Sequence, residues 1–313
     1  MDRVIARVRE NIASVMVGKE AVTDLILAAL AAGGHILLED VPGTGKTTLA
    51  KALARSVDLK YRRIQFTPDL LPSDVTGLNY FNQEKGSFVF REGPVFTGVL
   101  LADEINRATP RTQAALLECM EERQVTVDGE TRELEAPFLV IATENPIETL
   151  GCFPLPEAQL DRFLMKLSMG TISAEEELAM IRRFIDGQPL AELRPVAAKE
   201  DILSLQRSCQ AVFVHEDLRK YLVDLIQATR RQARTGSFEG VSPRGTLSLL
   251  RAAQGFALVQ GRDYVVPEDI HTLAVPVLAH RLLSGELPYE AKQEKIRLLL
   301  HSAPVPTEDW KRP

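Results

Sequence analysis

Cysteine is scarce in this chain of 313 residues: Cys119, Cys152 and Cys209 lie far apart, with no CxxC pair and no histidine at ligand spacing. That excludes a disulfide framework and a zinc site of the usual spacing, and three scattered thiols fit a reducing cytoplasm. A basic excess is missing too. Lys and Arg total 37 against 43 Asp and Glu, and the net charge of −6 offers no general attraction to nucleic acid or anionic lipid. This weakens a nucleic-acid-binding reading while leaving room for a local basic patch. Long apolar runs are lacking, since the longest, Leu25 to Ala32, is too short to span a bilayer. The start, Met1-Asp2-Arg3-Val4, reads as an amphipathic helix without the apolar run of a signal peptide, so a cytoplasmic protein is expected. There is no internal repeat and no low-complexity tract.

What is present begins with length: the chain suits two domains and can bury a substantial core. Residues 35–48 join an apolar strand, His35-Ile-Leu-Leu-Glu39, to a helix through Asp40-Val41-Pro42-Gly43-Thr44-Gly45-Lys46-Thr47-Thr48. Gly43 and Gly45 carry no Cβ, so the backbone can curl and aim successive N–H groups at one anion. Lys46 supplies a mobile cation for β- and γ-phosphates and Thr47 a hydroxyl for Mg²⁺, while the following helix adds the positive end of its dipole. Asp40 stands where this pattern usually has its first glycine, and a carboxylate so near a triphosphate must turn away.

Apolar strand-like runs alternate with helical stretches through the first half, at Ile36–Glu39, Tyr61–Phe66, Val99–Asp103, Phe138–Thr143 and Phe163–Leu167, which predicts a parallel sheet wrapped by helices. Two insertions read as β-hairpins. One runs from Phe81 to Pro94 with Phe88 and Phe90 alternating, and the other flanks the turn Asp128-Gly129. Near residue 171 strand patterns fade. Ser173 with Glu176 forms a capping box, and helices are expected at about 174–185, 199–210, 215–235, 243–260, 267–279 and 288–302. The expected division is a nucleotide-binding α/β unit over 1–170, a smaller helical unit over 171–302 and a loosely ordered tail over 303–313.

Val99-Leu-Leu-Ala-Asp103-Glu104 is a buried-type strand ending in two carboxylates, which are costly there unless used. Asp103 is suited to Mg²⁺, Glu104 to polarising the attacking water. Asn145 follows another apolar strand and could contact the γ-phosphate or orient the water. It could equally be a plain Asn-Pro turn. Arg162 precedes the fifth strand and Arg244 opens a later helix, and arginine suits charge on a transferring phosphoryl group.

Taken together these motifs resemble an AAA+ ATPase, and their wording resembles the MoxR family. The wording is Val17-Gly18-Lys19-Glu20, Phe66 to Asp74, Asp103 to Ala108, Leu155 to Phe163 and Ser242-Pro243-Arg244. The resemblance implies an AAA+ P-loop core with a five-stranded parallel sheet and a helical lid. It implies Walker A at Gly43 to Thr48 with Pro42 beside it, Walker B at Asp103 and Glu104, sensor 1 at Asn145 and Gly18 beside the adenine. It further implies Arg162 as a finger acting on a neighbouring subunit and Arg244 as sensor 2, with ATP and Mg²⁺ as cofactors. A ring, by expectation a hexamer, would remodel a partner protein, of a kind that carries a von Willebrand factor A domain. A nucleic-acid motor and a magnesium-chelatase-type subunit are the alternatives. The histidines at 35, 215, 271, 280 and 301 read as packing or surface groups, and Glu118, Glu121 and Glu122 as a solvated helix face. Phe88 and Phe90 either pack or grip a client.

Overall fold

A computed structural model describes residues 2–41, 43–146, 151–233, 240–282, 287–307 and 310–311. Its strands are β1 (Ile36–Glu39), β2 (Tyr61–Gln65), β3 (Gly77–Asn82), β4 (Ser87–Glu92), β5 (Val99–Asp103), β6 (Gln124–Val127), β7 (Glu130–Glu133), β8 (Leu139–Glu144) and β9 (Met165–Leu167). Five of them form one sheet in the order β2-β5-β8-β1-β9, and every pairing in it is parallel. Helices cover both faces, so the central strands β1, β5 and β8 are nearly continuous apolar runs, while the edge strands β2 and β9 carry Arg62, Arg63 and Lys166. The fifth strand starts at Met165 rather than Phe163, because the carbonyls of Phe163 and Leu164 accept hydrogen bonds from Arg281 instead.

The helices are α1 (Asp2–Ala13), α2 (Glu20–Ala31), α3 (Lys46–Ser56), α4 (Pro72–Thr76), α5 (Pro110–Glu122), α6 (Glu157–Leu160), α7 (Ala174–Asp186), α8 (Pro189–Glu192), α9 (Lys199–Gln210), α10 (Glu216–Ala233), α11 (Pro243–Val259), α12 (Pro267–Leu278) and α13 (Tyr289–Ser302). The capping box of α7 forms, with Glu176 N donating to Ser173 Oγ and Ser173 N to Glu176 Oε2. The single turn α8 was not expected from periodicity, which needs more than four residues to register.

One sheet face, with Ile36, Leu38, Val99, Leu101 and Ile141, packs on α1 to α3, and that apolar cluster continues into Leu249, Ile270 and Ile296 of the later helices. The other face, with Leu37, Leu100 and Val140, packs on Leu116 and Leu117 of α5 and on Phe66 and Phe163. The later helices are therefore bonded to the α/β layer by a shared core. α11 crosses α2 at close range, where a Cβ on Gly255 would sit 2.4 Å from the Ala28 carbonyl oxygen. In the tail, Trp310 lies partly buried on this core with its ring edge-on to His215, because the indole carries a large apolar area.

Both hairpins form, as β3–β4 and β6–β7. The first begins at Gly77, earlier than Phe81. Gly77 has φ +99, and a Cβ there would meet Arg91 O at 2.4 Å, so only glycine allows the strands to start so close. Phe81 faces Phe88 across the ladder, and the two rings touch edge to face at 5.5 Å while remaining 54% and 73% exposed. Phe90 instead packs against Phe96 and lies under the Arg132 guanidinium, 4.0 Å from the ring centre.

Candidate active site

β1 delivers the chain into a loop where Gly43 and Gly45 take left-handed φ values of 89° and 91°. Gly45 is the residue before α3, and the space beside Gly43 is open. This is a cradle of backbone N–H groups at a helix N-terminus, suited to an anion. Lys46 Nζ donates to the Asp40 carbonyl at 2.8 Å across the base of the loop. The Asp40 carboxylate does turn away, accepting from Ser168 Oγ at 2.9 Å and from Met169 N. Pro42 lies outside the described residues.

At the neighbouring strand ends, Thr143 ties the two carboxylate residues together. Its hydroxyl donates to Asp103 Oδ1 at 2.7 Å and accepts from Glu104 N at 2.9 Å. Glu104 takes a left-handed conformation, φ 55°, where β5 turns into the next element. Its Oε2 accepts from Gln65 Nε2 at 2.6 Å and pairs with Arg107 at 3.1 Å, while Asp103 pairs with Arg63 at 2.6 Å. Asn145 is 4% exposed, immediately past β8, and its carbonyl accepts from Asn106. Beside it, burial pushes the Glu144 carboxyl up against the pull of Lys166, whose Nζ lies 2.8 Å from Glu39 and 3.8 Å from Glu144. Lys46, Thr47, Asp103, Glu104 and Asn145 thus lie at the carboxyl ends of adjacent parallel strands.

Arg162 and Arg244 lie at the other end of the sheet. Arg162 precedes β9, where Leu164 N donates to His35 O just ahead of β1. The end of α5 sits there as well: Met120 O meets His35 Nε2 at 3.1 Å, and Arg123 donates to Gly33 O and Phe138 O, both ahead of sheet strands. Glu121, next to these residues, pairs with Arg162 Nε at 2.7 Å and with Arg244 Nη2. Strands of four to six residues separate the two ends by roughly 13–20 Å. The two arginines are brought to each other and kept away from their own phosphate loop. Glu118, Glu121 and Glu122 are all exposed, as the solvated-face reading has it, and the packed chain adds Arg162 and Arg244 as partners of Glu121.

The family model for the ATPase family associated with various cellular activities (AAA) matches residues 35–165, and that for the AAA lid domain matches 231–298. The Bacillus subtilis protein YeaC is 50% identical over 96% of this chain and 94% of its own. Chaperone MoxR1 of Mycobacterium tuberculosis is 43% identical over 90% and 75%, and protein MoxR of Paracoccus denitrificans 35% identical over 90% and 89%. The chain belongs to the MoxR family of AAA ATPases. A crystal structure of a Cytophaga hutchinsonii protein assigned as an ATPase superposes with a TM-score of 0.88 at 40% identity, covering 98% of this chain and 96% of that one. Its enzymatic class is therefore ATP hydrolysis.

A cleft of about 830 Å³ runs from the loop towards α7, lined by Val17, Gly43, Gly45, Thr48, Ile172 and Met180 among others. Gly18 is flanked by the lining residues Val17 and Lys19. Its φ is +65, and a Cβ on it would strike Glu176 Oε1 at 2.3 Å, so the turn needs glycine. Buried Lys19 closes the same wall by donating to Met169 O at 2.7 Å and Gly170 O at 2.9 Å. Sequence reasoning missed Gln65, Thr143, Arg63, Arg107 and Glu121. Thr143 had a signal, two residues before Asn145 on one strand, and Arg107 stands in the Asp103 to Ala108 motif, but Gln65, Arg63 and Glu121 become neighbours only through sheet pairing and helix docking.

Proposed function

We propose that this chain is a Mg²⁺-dependent ATPase that works as a closed ring, a hexamer, and uses hydrolysis to remodel a partner protein. The observation that carries the reading is the split of phosphate-handling groups between opposite ends of one sheet. In this reading Arg162 and Arg244 serve the loop of a head-to-tail neighbour rather than their own, and such contacts close into rings.

In this reading Gly18, Pro42, Gly43, Thr44, Gly45, Lys46, Thr47 and Thr48 bind the nucleotide. Glu104 polarises the attacking water and Asn145 orients it beside the γ-phosphate. Arg162 and Arg244 of one copy meet the charge that develops on the triphosphate held by the next. Thr47 and Asp103 fit Mg²⁺, being a hydroxyl and a carboxylate, the hard oxygen donors that this ion takes. Bound there, the ion would offset phosphate charge. Residues 1–170 serve as the nucleotide unit and 171–302 as the lid. Support for a protein partner comes from the named role of Chaperone MoxR1 and from the exposed Phe81–Phe88 pair. The family resemblance directs the choice to a partner with a von Willebrand factor A domain.

Specific ATPase activity is expected to rise with protein concentration until rings saturate. Arg162→Ala should still bind ATP but lose roughly 10³–10⁵ in turnover. Mixing it with Lys46→Ala should restore part of the rate, because some interfaces then pair an intact loop with an intact arginine. Activity independent of concentration, without rescue on mixing, would show that each copy works alone.

A further inference from the structure

The Glu121 carboxylate is shared by Arg162 and Arg244. Glu121 is the penultimate residue of α5 and is 31% exposed, while Arg162 and Arg244 are 29% and 50% exposed. Among the described residues nothing else pairs with Arg162. Arg244 has one further partner, Asp161, with Nε 3.9 Å from Oδ2. Asp161 is itself fixed by Arg281, whose Nε donates to Oδ1 at 2.7 Å and whose Nη2 donates to Phe163 O at 2.6 Å. Arg281 is 3% exposed, so this is a rigid post between the lid and the segment that carries Arg162.

Two guanidinium groups drawn onto one carboxylate would repel each other without it. Burial pushes the Glu121 carboxyl up, but hydrogen bonds and charge from Arg244 and Arg162 outweigh this and hold it below the usual carboxylate range. Arg162 Nε lies 2.7 Å from the Glu121 carboxylate as an ion pair without hydrogen-bond alignment, and its guanidinium is a fork that suits a phosphate.

We infer that Glu121 is a positioning residue for the reaction of the adjacent copy: it yokes Arg162 to Arg244, so that both reach a neighbour's triphosphate as one preset unit. The inference rests on the reading that these arginines act between copies. It assigns Glu121 no contact with nucleotide in either copy. Because lid helix α11 carries Arg244, the yoke also ties lid position to the finger.

The test compares Glu121→Gln, Glu121→Asp and the pair Arg162→Ala and Arg244→Ala with the unmodified protein, measuring ATP affinity, assembly by sedimentation with ATP, and turnover at saturating protein. An amide cannot hold two cations, so Glu121→Gln should keep affinity and assembly while turnover drops roughly 10- to 100-fold, the worth of a hydrogen bond to a charged group. Glu121→Asp should recover part of that loss. Glu121→Gln added to the pair Arg162→Ala and Arg244→Ala should slow turnover no further than that pair alone, because Glu121 acts through the two arginines. Mixing Glu121→Gln with Lys46→Ala should restore activity, since the defect lies on the arginine side of an interface. Unchanged turnover in Glu121→Gln, or a further loss when it is added to the arginine pair, would overturn the yoke. Concentration-independent activity in the unmodified protein would instead overturn the assembly reading, so the two failures are distinct.

Discussion

Glu104 is held by an amide and a guanidinium, Gln65 Nε2 at 2.6 Å and Arg107 at 3.1 Å, with its backbone in a left-handed turn. A carboxylate fixed in this way can accept a proton from water in one direction only. Glu104→Gln should therefore bind ATP with near-normal affinity and hardly turn it over, whereas Lys46→Ala should lose affinity along with the loop's mobile cation. Fluorescent-nucleotide binding read beside phosphate release separates the two, and normal turnover in Glu104→Gln would remove it from the chemistry. A second residue, His35, links stability to acid pH. It is fully buried between Val140 N, which donates to Nδ1 at 2.9 Å, and Met120 O at 3.1 Å from Nε2. Burial, with the Arg123 charge, lowers its pKa to about 3, so the folded protein keeps it neutral. The stability this contributes is complete above the unfolded value of about 6.5 and is lost as pH falls from there towards 3. Each pH unit in that window should cost about 1.4 kcal/mol. Denaturant unfolding at about pH 7 and about pH 5.5 should show a shallower loss in His35→Gln, and an identical slope would exclude His35.

The hairpins show how an element sorts residues of one type into different work. Alternation along β4 puts Phe88 and Phe90 on the same face, yet only Phe88 stays exposed, because Phe96 and Arg132 cover Phe90. The pair available to a client is Phe81 with Phe88, joined across the ladder. Replacing both by Ala should leave basal hydrolysis close to normal and abolish the response to a client protein. Phe90→Ala should instead lower the unfolding midpoint. If Phe81→Ala with Phe88→Ala keeps the client response, the exposed pair is not a grip.

For the molecule as a whole, the net charge of −6 sets opposite expectations for a protein partner and a nucleic-acid partner. Duplex DNA or RNA should not change ATPase activity at physiological salt, since few phosphates could be neutralised. Stimulation with a steep salt dependence would replace a protein client by a nucleic-acid track.

The parallel sheet, the phosphate loop, the carboxylate pair and the helical second half were legible because each is written in contiguous residues. Four or five apolar residues make a buried strand wherever they fall. A glycine pair before Lys-Thr makes an anion cradle at whatever helix follows it. The turn of Asp40 away from the loop followed from charge alone. Other features needed the packed chain. Gln65 reaches Glu104 because β2 pairs with β5, which sets Gln65 opposite Asp103. Glu121 and Arg244 stand 123 residues apart and meet only because α11 crosses α2 with a glycine at the contact. The sequence alone settled which chemical groups this protein owns and the local backbone that presents them. Tertiary structure alone settled that Arg162 and Arg244 meet on Glu121 at the end of the sheet opposite the loop of residues 43–48, because the direction of parallel strands and the docking of distant helices depend on packing across the whole core.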